Sequence, residues 1–172
     1  MSTAARNSVD GSGGGFHNVD TMTIEDCLIT GNAAANEMPD DYNAGGGIYN
    51  HGTLNIANST VSDNMAETQG GGIHNNGLAV LDVMDTTISA NSATVGGGGI
   101  NSTGIVRVTG AAFHKNVTTG SGGGIQNFVW EESPGQITVV DCVFQGNRAD
   151  ETGGAGRNHS TESKQHINYC QN

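Results

Sequence analysis

The chain has 172 residues, of which 34% are apolar, 5% aromatic and 13% charged, with 28 glycines and a formal net charge of −11. A conventional globular core would be thin at this composition, yet the charge content is too low for a typical disordered chain, so the glycines need a structural role. Six lysines and arginines against seventeen acids cannot build a phosphate-binding surface, and we expect no nucleic-acid partner.

The amino-terminal stretch MSTAARNSVDGS has no apolar segment like that of a signal peptide. Further along the chain, no run approaches the roughly 18 consecutive apolar residues of a membrane-spanning helix. We therefore expect no membrane insertion by this segment.

Glycine runs recur along the whole chain. GGGF at residue 13 is followed by GGGI at residues 45, 70, 97 and 122, and by GGAG at residue 153. The base period is about 25 residues, with longer intervals where residues are inserted, and such self-similarity is typical of solenoids. The sequence predicts coils that start near residues 13, 45, 70, 97 and 122, with a partial coil from residue 153.

Within each coil, apolar and polar residues alternate with period two, as Leu54 and Ile56 do in TLNIANSTVSDN. This alternation is typical of short, half-buried strands. We predict an all-β fold, a single-stranded right-handed parallel β-helix (β-solenoid) of about five coils of ~25 residues, which forms one domain over residues 1–172.

Alignment of the coils predicts four inward columns, to which the second coil contributes Ile48, Leu54, Ile56 and Val61. It also predicts a structural asparagine column at a turn, where side-chain amides can hydrogen-bond to one another and to the backbone. This column contains Asn32, Asn64, Asn91, Asn116 and Asn147. No cofactor, metal site or catalytic residue is assigned, and Asp26, Asp85 and Asp141 are interpreted as turn residues.

The pairing of GGGI with FHKN at residue 113 and FQGN at residue 144 resembles the polymorphic outer membrane protein repeat family. Members are right-handed parallel β-helix passengers with a pectin-lyase-like fold. The resemblance implies an extracellular, cell-surface or outer-membrane location and a structural or adhesive role. Because neither a signal peptide nor a membrane barrel is present, we expect a fragment of a longer protein, continued by flanking coils or caps, or a short relative whose ends a partner covers.

Two insertions interrupt the period, within AAANEMPDDYNA and FVWEESPGQ. Loops that project from a rigid scaffold commonly carry binding sites. Between them, an outward column is predicted to contain Tyr49, His74, Asn101 and Gln126, and the second loop contains Trp130. These five residues form the candidate ligand site, and the expected partner is a glycan or a protein on a host or neighbouring cell.

The alternative is a polysaccharide-active enzyme, a lyase or a glycoside hydrolase, because the same fold can carry such sites. Lyase chemistry requires a base beside acids, and hydrolysis requires two opposed carboxylates. Lys115, Arg148 and Asp63 are the best such neighbourhood in the sequence, and we favour a surface ion pair as the explanation for them.

Overall fold

The computed structural model describes residues 1–35, 44–128, 135–159 and 165–171, with His159 and residues 165–171 described by their backbone alone. These residues contain strands and turns but no helix, and the strands stack in parallel as a β-solenoid of about five turns. The predicted parallel β-solenoid is thereby confirmed. Trp130 and most of both insertions, residues 36–43 and 129–134, lie outside the described residues.

Three parallel sheets form the walls of the solenoid. Sheet A has eleven strands: Ser2–Ala5, Thr21–Glu25, Cys27–Thr30, Thr53–Ala57, Thr60–Ser62, Val80–Met84, Thr87–Ser89, Ile105–Thr109, Ala112–His114, Gln136–Gln145 and Gln165–Gln171. Sheet B has six: Ser8–Asp10, Ala33–Ala35, Met65–Ala66, Ser92–Ala93, Val117–Thr118 and Arg148–Ala149. Sheet C has six: Phe16–Asn18, Ile48–Asn50, Ile73–Asn75, Ile100–Ser102, Ile125–Phe128 and Gly156–His159. A complete coil such as the second contributes two strands to sheet A, first Thr53–Ala57 and then Thr60–Ser62. Sheet A therefore has two arms, the first built from strands such as Thr53–Ala57 and the second from strands such as Thr60–Ser62.

The strand register confirms the four inward columns. Ile48 pairs with Ile73 in sheet C, and Leu54 pairs with Leu81 in sheet A. All four of these side chains are completely buried. The apolar residues thus stack on their counterparts one rung away, which lets a chain with few of them fill a continuous core. Two large aromatic side chains of this core, Phe113 and Phe144, stack with their ring centroids 4.6 Å apart.

Each coil turns at three corners through residues in the left-handed backbone region. In the second coil these are Gly45, Asn58 and Asp63, with φ of 71°, 48° and 55°. The predicted turn role of the aspartate column is confirmed, because Asp26 and Asp85 have φ of 53° and 46°. Asparagine and aspartate tolerate this conformation better than most residues, which explains their recurrence here.

The three glycines of a run have three different tasks, as the second coil shows. Gly45 takes the positive φ of the corner. A Cβ on Gly46 would lie 2.3 Å from the carbonyl oxygen of Met65, and one on Gly47 would lie 2.6 Å from that of Gly72 and 3.1 Å from the amide of Asn64. Sheet C therefore meets sheet B backbone to backbone, and the run closes over the asparagine column.

Candidate functional site

The five predicted asparagines form one hydrogen-bonded ladder inside the solenoid. Asn64 Nδ2 donates to Asn91 Oδ1 at 3.0 Å and to the carbonyl of Ile29 at 3.0 Å. Asn91 repeats this pattern with Asn116 Oδ1 and the carbonyl of Val61. Each Oδ1 also accepts from the backbone N–H of the previous asparagine, as Asn91 does from Asn64. Both Nδ2 hydrogens of the buried Asn64 and Asn91 side chains are thus satisfied, and so is the Oδ1 of Asn91, which indicates a structural column.

A second amide ladder, which was not predicted from the sequence, lies at the end of the sheet C strands. Asn18 Nδ2 donates to Asn50 Oδ1 at 2.8 Å, and Asn50 Nδ2 donates to Asn75 Oδ1 at 2.7 Å. The signal was present, because asparagine recurs two residues after the apolar residue of most glycine runs, and period two places that position on the inward side.

Ser102 interrupts this second ladder. Its hydroxyl accepts from Asn75 Nδ2 at 3.1 Å, but the side chain is too short to reach onward to Asn127. Among the described residues, none donates to the buried Asn127 Oδ1. An unsatisfied buried acceptor is destabilising, so the ladder has a weak rung here.

Ser102→Asn is therefore expected to stabilise the protein by about 1 to 2 kcal/mol, because the new Nδ2 would donate to Asn127 Oδ1 while its Oδ1 replaces the serine hydroxyl as the acceptor for Asn75. The free energy of unfolding in urea measures the effect. Ser102→Ala is the matched control and should destabilise. A stability unchanged or reduced in Ser102→Asn would show that the column has no room for the amide.

The register brings the four predicted outward residues of sheet C onto neighbouring rungs: Tyr49 pairs with His74, which pairs with Asn101, which pairs with Gln126. Their exposure differs from the expectation of an open face. His74 is 4% exposed and Asn101 is completely buried. Gln69, from the turn before the glycine run, contributes to this cover and accepts a hydrogen bond from Asn101 Nδ2 at 3.0 Å. Tyr49 and Gln126 alone of the four keep partial exposure.

Aromatic rings continue this column in both directions from Tyr49. Its ring centroid lies 4.9 Å from that of His17 on one side and 5.3 Å from that of His74 on the other. His51, at the nearby corner, adds an edge contact at 6.4 Å. Tyr49 therefore presents a ring edge rather than an open ring face. His17 could have been found from the sequence, because GGGFHN and GGGIYN align without a gap.

Asn76 connects the two central rings of the column and was also missed. Its Nδ2 donates to Tyr49 Oη at 2.7 Å, and its side chain also hydrogen-bonds to His74. On the other side, His74 Nδ1 lies 3.0 Å from Asn101 Nδ2 and accepts from it, which requires a neutral imidazole. Asn76 follows the predicted strand directly and gave no periodic signal.

Burial controls the protonation of this site. Loss of hydration lowers the pKa of His74 to about 4, against a smaller opposing effect of its hydrogen bond with Asn76. Burial likewise raises the pKa of Tyr49, and the hydrogen bond from Asn76 acts in the opposite direction. Both groups are thus neutral at physiological pH.

The lowered pKa of His74 predicts a pH-dependent stability. Because the unfolded imidazole has a pKa near 6.5, the neutral form stabilises the fold above that pH, and this contribution is lost as the pH falls toward 4. We expect the free energy of unfolding to be about 2 kcal/mol lower near pH 5 than near pH 7 from this group. His74→Gln should remove that part of the pH dependence, whereas the exposed His51→Gln should retain it. Equal pH dependence in all three proteins would contradict the assignment to His74.

A second surface feature lies on the outer face of the first arm of sheet A. Arg107 Nη1 and Asp82 Oδ1 form an ion pair at 3.1 Å in an open depression of about 470 Å³, which Thr23 and Asn55 also line. The two charged side chains are 54% and 39% exposed. Such a solvated pair contributes little to stability. This polar strip was not singled out from the sequence.

Of the three residues considered for enzyme chemistry, Arg148 is paired with another residue, and Lys115 and Asp63 lie two rungs apart. Arg148 forms an ion pair with Asp150 at 2.7 Å. Lys115 and Asp63 occupy the same corner column, with Ala90 on the rung between them. Over residues 1–35, 44–128 and 135–158, no group of three or more histidine, cysteine, aspartate or glutamate side chains is placed to hold a metal ion.

Comparison with known protein families, curated proteins and solved structures finds no match for this chain. Within the part of the chain that the structure describes, no helix has the length and apolar character needed to cross a membrane.

Proposed function

We propose that this chain is a structural or adhesive β-helix segment, a stalk or passenger of a protein displayed at the cell surface or secreted. One observation carries the proposal: the recurring residues of the repeat are used for stacking. The glycines bring the backbones of sheets B and C together, the asparagines satisfy one another, and the apolar residues fill the core. What varies between coils is the outer surface, as expected of a scaffold.

The expected partner is a glycan or a protein of a host or neighbouring cell, as the resemblance to polymorphic outer membrane protein repeats implies. In the accessible part of the candidate site, we expect Tyr49 to contribute a small part of the binding energy. Its hydroxyl accepts a hydrogen bond from Asn76. Gln126 lies three rungs away. Trp130, in the second insertion, is the aromatic residue that we expect to contribute most, because large amphipathic rings dominate recognition surfaces.

Immobilised protein on glycan and cell-surface protein arrays tests the proposal. We expect retention without turnover, lost in Trp130→Ala and kept in Asp82→Ala, a change on the outer face of sheet A. Absence of retention on every array would reduce the proposal to a spacer without adhesion. Mechanical unfolding in which the rungs detach one after another under force would support that spacer role.

The same arrays distinguish the enzyme alternative when unsaturated or reducing-end sugar products are measured in parallel. Product release that depends on Lys115 or Arg148 would overturn the structural proposal in favour of a polysaccharide lyase or hydrolase. Product release that copurifies with the chain and survives both Lys115→Ala and Arg148→Ala would also favour an enzyme, with its catalytic groups elsewhere.

A further inference from the structure

Asn76–Gly77 is the one Asn–Gly step in the sequence. An asparagine before glycine is prone to spontaneous deamidation, because glycine has no Cβ to keep its backbone nitrogen from the preceding side chain. Both residues are half-buried, and the neighbouring Leu78 is 74% exposed, so water reaches the turn.

The reaction needs no reagent beyond water. The backbone nitrogen of Gly77 attacks Asn76 Cγ, a C–N bond forms, and the bond from Cγ to Nδ2 breaks. Ammonia leaves with the proton that the Gly77 nitrogen gives up, and a cyclic imide remains. Water then opens either carbonyl of the imide to give an aspartyl or an isoaspartyl residue, each with a new carboxylate.

The fold holds both reacting groups away from this path. The Gly77 N–H donates to Thr103 Oγ1 at 2.7 Å, and Asn76 Nδ2 donates to Tyr49 Oη at 2.7 Å. The Asn76 carbonyl also closes the turn by accepting from the Ala79 N–H at 3.0 Å. Thr103 is 6% exposed, so its hydroxyl is held in place by its surroundings. A nitrogen engaged as a donor keeps its proton and cannot act as the nucleophile.

We propose that Asn76 is a latent deamidation site, that Thr103 restrains it, and that its reaction introduces a carboxylate between Tyr49 and His74. The proposal is independent of the stalk or adhesin role. Its consequence is electrostatic: the neutral amide that bridges the two rings becomes an anion, and an anion beside a buried imidazole favours the imidazolium. Spontaneous chemistry at one turn would thereby change the charge of the candidate site.

Peptide mass spectrometry of folded protein incubated at mildly alkaline pH tests the restraint, with isoaspartate as the specific product. Thr103→Val should deamidate at Asn76 about fivefold faster than the unaltered chain, the rate equivalent of one lost hydrogen bond. Thr103→Ser keeps the hydroxyl and should match the unaltered chain. Equal rates in Thr103→Val and the unaltered chain would overturn the role of Thr103, and a folded rate as high as that of the denatured chain would overturn latency.

Asn76→Asp tests the electrostatic consequence. NMR titration of the His74 ring should give a higher pKa in this variant than in the unaltered chain. An unchanged His74 titration would show that the new carboxylate does not reach the ring. Melting temperatures of the variants ensure that rates and titrations are compared between folded proteins.

Discussion

Gly71→Ala is expected to cost about 3 kcal/mol of unfolding free energy, at the upper end of the usual cost of overpacking. Gly71 is the middle glycine of its run, and an added Cβ would lie 2.3 Å from the carbonyl oxygen of Ser92 and 2.6 Å from that of Gly98. Both are backbone atoms held by the neighbouring rungs, so neither can move aside independently. Urea unfolding measures the loss, and hydrogen exchange should show it at the rungs of sheets B and C beside Gly71.

Gly31→Ala is the matched control, since Gly31 has a φ of 65° and the nearest obstacle to its Cβ is the flexible Arg6 side chain at 3.6 Å. The expected cost there is about 1 kcal/mol, from the left-handed backbone alone. If the two variants lost the same stability, the close approach of sheets B and C would not be the reason for the glycine run.

Asn91→Ala is expected to lower the free energy of unfolding by about 4 kcal/mol, because it leaves several buried partners unsatisfied at once. Two donors lose their acceptor, namely the backbone N–H and the Nδ2 of Asn64. The Val61 carbonyl loses the Asn91 Nδ2 donor, and Asn116 Oδ1 loses one of its two donors and keeps the backbone N–H of residue 91. Chemical denaturation with two spectroscopic probes would measure the loss.

Asn55→Ala, on the outer face of sheet A, provides the control and should change stability by no more than about 0.5 kcal/mol. Asn91→Asp distinguishes the acceptor role of Asn91 Oδ1 from the donor role of Asn91 Nδ2. It keeps an oxygen for Asn64 but buries a carboxylate, so its deficit should shrink as the pH is lowered and the carboxyl group becomes protonated. A deficit independent of pH would argue against burial of this column.

The inward columns could be predicted from the sequence because a stacked coil repeats its geometry. Once Ile48 aligns with Ile73 and Asn64 with Asn91, their pairing across rungs follows without knowledge of the rest of the fold. The second ladder was missed because Ser102 breaks its repeat. An inward polar residue such as Asn50, next to a corner, also resembles the start of a loop.

Exposure was predicted less well, for a physical reason. Period two places His74 and Asn101 on the outer side of sheet C, which is where they are. Gln69, which precedes the glycine run, reaches over the strand to Asn101 and accepts a hydrogen bond from its side chain. No local pattern encodes that contact. The burial of His74, and hence its lowered pKa, could be found only from the three-dimensional arrangement.

Both asparagine ladders have a direction. From Asn7 to Asn147 each Nδ2 donates toward the carboxyl-terminal rung, and the ladder that begins with Asn18 runs the same way. The amide dipoles therefore add along the axis, and aligned hydrogen bonds of this kind polarise one another. A coil placed before Asn7 would have to donate a hydrogen bond to the Oδ1 of Asn7. A coil placed after Asn147 would have to accept a hydrogen bond from the Nδ2 of Asn147. The stack can grow only with its polarity preserved, so two such solenoids match end to end head to tail and not head to head.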